Sequence, residues 1–279
     1  MDAKDRIEAH RNSLTSAERR AAEAMLEDPQ AVAFCTVAEF ARRAHVGAAT
    51  VVRLASKLGF DGYAELQQSI QQDLSHQLRP AVERIREPTP GDLRATHATH
   101  ELGNVERTLD AVDPVTLRDT TKKLCDPKRG VAVISGDATR GIAMQFVTDL
   151  ESLRDDVHLV DGNEVAVRRH LALLAPSDLV ISIDVRRYER WLLATLDALP
   201  SRVWKVAITD SVLSPVAQKS DRTFVVSADA VGPFDSHVGT LALTNLLVAS
   251  VSERLRTVAT SRLDRIERVW NQTESLVDR

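Results

Sequence analysis

Val37-Ala-Glu-Phe-Ala-Arg-Arg-Ala-His-Val-Gly-Ala-Ala-Thr-Val-Val-Arg-Leu-Ala-Ser-Lys-Leu-Gly59 decides the fold of the first third of this chain. Ala38, Phe40 and Ala41 give its first half an inward face. Val51, Leu54, Ala55 and Leu58 recur at helical spacing in its second half. Between them, Ala44-His-Val-Gly47 is too short for anything but a sharp turn. Helix, tight turn and helix form the spacing of a motif whose second helix lies in the DNA major groove.

The charge pattern agrees locally. The 279 residues carry a formal net charge of −4, and the N-terminal part is slightly acidic as a whole. From Phe40 to Phe60, however, the charged residues are Arg42, Arg43, Arg53 and Lys57, with His45 beside them and no acid. Phosphate contact needs such a local positive surface rather than a basic domain, although a solvated helix face can look the same. N-terminal residues of a recognition helix meet base edges. The DNA-contact set is therefore expected to be Thr36, Arg43, His45, Gly47, Ala48, Ala49, Thr50, Arg53 and Lys57. Within it, Arg53 is suited to guanine, Thr50 to a phosphate or a thymine methyl, and Lys57 to phosphate.

Outward from this motif, residues 3–78 read as all helix. Thr15-Ser-Ala-Glu18 reads as a capping box opening a helix to about Glu27, broken by Asp28-Pro29. A short helix near Ala31–Cys35 precedes Thr36, the expected N-cap of the motif. Gly59-Phe-Asp-Gly62 ends the recognition helix, and another helix runs from Tyr63 to about Leu78. Pro80, Pro88, Pro90 and Gly91 mark 79–92 as a linker.

From Leu93 two helices lead into a different pattern. Val131–Ile134, Val157–Val160, Leu179–Ile183, Val203–Ile208 and Thr223–Val226 are short, β-branched apolar runs, separated mostly by helical segments. Such alternation means a five-stranded parallel sheet covered by helices on both faces. An apolar helix over Asp235–Val258 and an amphipathic one from Arg262 to about Val277 follow. Cys35 and Cys125, each among apolar residues, read as buried free thiols of a reducing cytoplasm. The N-terminus lacks a signal-peptide core, and no apolar run could span a bilayer, so a cytoplasmic protein is expected.

Leu14-Thr-Ser-Ala-Glu-Arg19, Val37-Ala-Glu-Phe-Ala41, Ala49-Thr-Val-Val-Arg53 and Lys57-Leu-Gly-Phe-Asp-Gly-Tyr-Ala-Glu-Leu66 resemble the helix-turn-helix domain of the RpiR family of bacterial regulators. Gly47 stands where that family often has a Ser cap. Ile208-Thr-Asp-Ser-Val-Leu-Ser-Pro-Val-Ala217 resembles the sugar isomerase (SIS) domain that completes such regulators. The resemblance implies two domains: an all-α helix-turn-helix domain (1–78), then a flavodoxin-like α/β SIS domain (93–279) for ligand sensing and oligomerisation. It implies a DNA-binding transcriptional regulator, not an enzyme, acting as a homodimer or homotetramer on double-stranded operator DNA, with no cofactor, metal or membrane partner. A sugar-phosphate isomerase with a helical appendage, or a regulator whose SIS domain only oligomerises, are the competing readings.

Two loops should carry the ligand chemistry, because ligands in this fold sit at the carboxyl ends of the strands. The first, Ser135-Gly-Asp-Ala-Thr-Arg140, replaces the family's Gly-x-Gly-x-Ser, with Thr139 keeping a hydroxyl and Asp137 unfavourable to phosphate. The second, Ser182-Ile-Asp-Val-Arg-Arg-Tyr188, has Asp184, Val185 and Arg187 where phosphosugar domains have Ser, Gly and Thr. Since arginine binds carboxylate and phosphate in a fork, Arg186 or Arg187 is expected to hold a small anionic metabolite. Pairing of one arginine with Asp184 or Asp137 is the alternative. The expected ligand set is Ser135, Gly136, Asp137, Thr139, Arg140, Ser182, Asp184, Arg186, Arg187, Tyr188 and His237. His97, His100 and Glu101 have metal-like spacing but read as an exposed polar face.

Overall fold

In the computed structural model these local signals close the chain into two compact units, Met1–Pro80 and Ala81–Arg279. It describes residues 3–10, 13–27, 32–33, 35–78, 80–86, 91–212 and 214–275. The first unit contains α1 (Ala3–His10), α2 (Ser16–Glu27), α3 (Val37–Arg43), α4 (Ala48–Lys57) and α5 (Tyr63–Leu78). The expected Asp28-Pro29 break lies outside the described residues, as do Ala31 and Phe34 of the expected Ala31–Cys35 helix, of which Val32 and Ala33 are helical.

Sequence signals for helix ends correspond to real hydrogen bonds. Thr15 N–H donates to the Glu18 carboxylate at 2.9 Å, and Glu18 N–H donates to Thr15 Oγ1 at 3.4 Å, so α2 opens with the capping box. Thr36 and Glu39 repeat it at the start of α3. The helix C-termini use a left-handed residue. Gly59 at φ +82° closes α4, with Phe60 N–H on Ala55 O at 3.0 Å. His45 at φ +53° does the same for α3, with Val46 N–H on Ala41 O at 3.0 Å. The core buries Phe40, Ala41, Val51, Leu54, Ala55, Leu58, Phe60 and Leu66. Ala38, expected to face inward, is exposed.

The stretch expected to be a linker holds a short helix, α6 (Ala81–Arg84), which falls in the second unit. There follow α7 (Leu93–Asp110), α8 (Pro114–Leu124), β1 (Val131–Ser135), α9 (Arg140–Leu153), β2 (Val157–Leu159), α10 (Glu164–Ala172), β3 (Leu179–Ile183), α11 (Arg190–Ala198), β4 (Trp204–Thr209), β5 (Arg222–Val225), α12 (Val238–Arg254) and α13 (Arg256–Thr273). The five strands are all parallel, in the order β2-β1-β3-β4-β5.

Strand periodicity divides the apolar residues between two cores. Val131 and Val133 face one side with Leu124, Phe146, Leu150, Leu243 and Leu247. Ala132 and Ile134 face the other with Val167, Leu171, Leu192 and Leu196. Each fully buried Leu or Ile contributes about 1.5–3 kcal/mol over its exposed state. The strand order reverses between β1 and β3, and in open parallel sheets that crevice is where ligands bind.

Candidate functional site

In the helical unit, α4 turns one face to the core and the other outward. Ala49, Val52 and Arg53 are exposed, Ala48 is half-buried, and Arg42, Arg43 and His45 are exposed just before it. Five members of the expected contact set also have structural duties within the unit. Thr50 is 8% exposed, and its hydroxyl accepts from Arg53 Nη2 at 3.2 Å, so it positions the arginine instead of reaching outward. Lys57 donates to Ser13 O at 2.5 Å and to Glu18 Oε2 at 3.1 Å, tying α4 to the cap of α2. The Thr15 amide first, then Lys57, holds the Glu18 carboxyl below its usual range. Thr36 serves its own helix cap, Gly47 is a cap without a side chain, and His45 is the left-handed turn residue.

The Gly59–Tyr63 signature also has a structural account. Arg6 donates to Leu58 O and Gly59 O at 3.1 and 3.0 Å, and lies over the Phe60 ring at 4.3 Å. Tyr63 Oη donates to the carbonyls of Val32 and Cys35. Burial pushes its phenol up to about 12, so it stays a donor. These contacts fix the recognition helix within its unit.

In the second unit, the loops after β1 and β3 lie side by side. Thr139 is buried and its hydroxyl donates to Ile183 O at 2.8 Å, so it joins the two loops rather than serving a ligand. Ser182 is wholly buried in the sheet, donating to Val206 O at 3.2 Å. Asp184, also buried, accepts from Val185 N–H at 3.0 Å and Glu189 N–H at 2.9 Å. Glu189 accepts from Asp137 N–H at 2.5 Å and from Trp191 Nε1. Gly136 permits this packing, since a Cβ there would come within 2.6 Å of Asp184 Oδ1.

Arg186, expected to hold an anionic ligand, faces carboxylates of the chain itself. It is 6% exposed, and its guanidinium is already paired. Nη2 donates to Asp229 Oδ1 at 2.6 Å and Nη1 to Asp235 Oδ1 at 3.1 Å. Arg84 reaches the same Asp235 oxygen at 2.6 Å, and Arg107 reaches Asp229 at 3.1 Å. The anticipated internal pairing therefore exists, but with Asp229 and Asp235 instead of Asp184 or Asp137. Arg186 sits at φ +63°, and its N–H donates to Asp210 Oδ1 at 2.9 Å. Tyr188 Oη donates to the same carboxylate at 2.9 Å, and burial raises its phenol pKa. Arg187 is exposed, with no side-chain partner among the described residues.

A cleft of about 490 Å³ opens at the ends of β1 and β2. Ser135, Asp137 and Arg140 of the expected ligand set line it, together with Asp161, Glu164, Glu189 and Trp191. Arg140 is held by Asp161, with Nε–Oδ2 at 2.8 Å. Of the remaining expected ligand residues, neither the β3-loop set nor His237 lines this cleft. His237 precedes α12 with its Nδ1 buried and unpartnered, and burial lowers its pKa. Ser236 Oγ instead accepts from Val238 N–H at 3.3 Å. His97 lies 3.8 Å from Glu101, whose carboxylate accepts from Ser236 Oγ. No three or more His, Cys, Asp or Glu side chains among the described residues converge closely enough to hold a metal ion, and no helix there is long and apolar enough to cross a membrane.

Sequence reading missed Asp229, Asp235, Arg84 and Arg107 because nothing local links them to position 186. It also missed Glu189 and Trp191, which follow the β3 loop. Asp210 stood in the Ile208–Ala217 segment already singled out, so a signal for it existed.

Against known proteins, residues 1–77 match the helix-turn-helix domain of the rpiR family and residues 127–250 match the SIS domain. A curated relative, an uncharacterised HTH-type transcriptional regulator of Haemophilus influenzae, is 26% identical over 225 residues, covering 76% of this chain and 75% of its own. The sugar isomerase domain of an RpiR transcription factor from Sphaerobacter thermophilus is 30% identical, with TM-score 0.57, covering 64% of this chain and 99% of that domain. Vibrio vulnificus NanR, solved with ManNAc-6P, shares the fold at 19% identity and TM-score 0.58, over 97% of this chain and 98% of its own. The order of the two matched domains, with the Sphaerobacter domain covered almost end to end, makes this chain a member of the RpiR family.

Proposed function

We propose that the protein is a transcriptional regulator that binds operator DNA through α4 and senses a small metabolite in its SIS domain. The observation that carries this is the outward face of the motif: exposed Arg53, steadied by Thr50, beside exposed Arg42, Arg43 and His45. A guanidinium held midway along the outward face of a recognition helix suits a bidentate contact to guanine. The other exposed cations suit backbone phosphates. Subunits pair, because two recognition helices must meet half-sites about one helical turn apart. A metabolite that prefers one arrangement of the pair shifts the population toward or away from DNA.

The isomerase reading is disfavoured. Such chemistry needs a base beside an anchored substrate, yet the loop amides suited to anchoring a phosphate are occupied by Asp184 and Glu189. Footprinting of the DNA upstream of the protein's own gene tests the proposal. Arg53→Ala should weaken specific binding by about 1–3 kcal/mol and relax preference at one base position. Equal protection by wild type and variant, or no protected segment, would overturn it.

A further inference from the structure

Backbone amides at the carboxyl ends of parallel strands, next to a helix N-terminus, are a natural anion cradle. In this protein carboxylates of the chain itself already take part of that cradle. Val185 and Glu189 donate to the Asp184 carboxylate, and Asp137 donates to the Glu189 carboxylate. Arg186 N–H is taken by Asp210, and Arg187 N–H by Val185 O at 2.8 Å. In the first loop, Gly136 N–H is taken by Ile183 O and Thr139 N–H by Gly136 O. Asp184 is 4% exposed and packed against Gly136, so it is not a mobile group that an incoming anion displaces easily.

We infer that Asp184 and Glu189 are specificity-determining residues: they sit as internal anions in the place of an anionic ligand, and the sensor therefore rejects phosphate esters. The adjoining cleft carries the same bias. Asp137, Asp161, Glu164 and Glu189 line it against one guanidinium, Arg140, which Asp161 already holds. A molecule entering it meets acceptors and negative charge. It must bring hydrogen-bond donors without a negative group of its own, as a polyol or a protonated amine does. This deepens the sensor reading above and rests on it.

Glucose 6-phosphate, glucose and glucosamine share one frame and differ in charge, so they separate the possibilities. Titrated into the full-length protein and followed by NMR, inorganic phosphate and glucose 6-phosphate should leave the amide signals of Asp137, Val185 and Glu189 unmoved. The order of affinity at the cleft should be glucosamine, then glucose, then glucose 6-phosphate. A double variant, Asp184→Ser with Glu189→Ala, empties the cradle and should gain at least tenfold in phosphate affinity. Movement of the three amides by phosphate in the wild type overturns the inference, and needs no variant to fold. So does glucose 6-phosphate binding ahead of glucose, or a folded double variant with no gain. DNA footprinting on the same preparations keeps the two readings apart: lost footprints speak against the regulator, whereas retained footprints with phosphate binding speak only against the exclusion.

Discussion

Removing the Arg186 guanidinium separates a ligand receptor from a structural tie. An exposed receptor arginine can be truncated with little effect on folding, whereas Arg186 joins the β3 loop to two carboxylates 43 and 49 residues further along the chain. Breaking a buried pair by removing one partner costs about 3–5 kcal/mol when the other charge is stranded. Here the stranding is partial. Asp235 keeps Arg84 at 2.6 Å, while Asp229 is 53% exposed on its side chain and keeps Arg107 at 3.1 Å. That lowers the expected cost of Arg186→Ala to about 2 kcal/mol. Backbone strain gives a second handle. At φ +63° alanine keeps the left-handed penalty and glycine does not, so Arg186→Gly should recover about 1 kcal/mol of the loss. Arg187→Ala, at an exposed site, should stay within about 0.5 kcal/mol of wild type. The three tryptophans, Trp191, Trp204 and Trp270, all lie in the second unit, so fluorescence-detected urea unfolding reports that unit alone. Wild-type stability in Arg186→Ala, or equal losses at 186 and 187, would refute the tie.

Three further outcomes are expected. Thr36→Ala removes half of a reciprocal cap and should destabilise the helical unit by about 1 kcal/mol, with little added by Glu39→Ala, as circular dichroism melts of single and double variants will show. Lys57→Ala should leave the salt slope of DNA binding unchanged, whereas Arg42→Ala, at an exposed cation suited to phosphate, lowers it by about 1, because the Lys57 ammonium is already bonded to Ser13 and Glu18. Burial, reinforced by neighbouring Glu189 and Asp210, pushes the Asp184 carboxyl from 3.8 up to about 6. The folded chain then holds that proton more tightly than the unfolded chain. This contribution is complete below pH 3.8, falls as pH rises toward 6 and is lost above it, a span of about 3 kcal/mol. In urea midpoints measured against pH, Asp184→Asn should remove that slope; an unchanged slope sinks the assignment.

The fold was legible where its causes are local. Capping boxes at Thr15–Glu18 and Thr36–Glu39 are written within four residues, and the structure forms both. The alternation of β-branched runs with helices is equally short-ranged, and it yields the parallel sheet and its two cores. Ala38 was misplaced because a seven-residue helix offers too few turns to fix the phase of its apolar stripe. Thr50 was misplaced because position on a recognition helix says nothing about which hydroxyls the helix keeps for itself.

The ligand loops resist sequence reading for a different reason, which is also why they are informative. Residue type states what a side chain can bind, and only the fold states what has already bound it. Arg186 and Arg187 are chemically identical neighbours, yet the left-handed backbone at 186 places one guanidinium among Asp229 and Asp235 and leaves the next exposed. Asp184 inverts the argument from the acid side. A carboxylate in an anion-binding loop reads as a defect, until its two oxygens are seen to take the amides that an anion would take. The substitutions at 184 and 186 then have one physical meaning. The acid occupies part of the cradle, the arginine is neutralised elsewhere, and a phosphate reaching this loop would find the Val185, Glu189 and Asp137 amides taken by carboxylates and the buried guanidinium already paired.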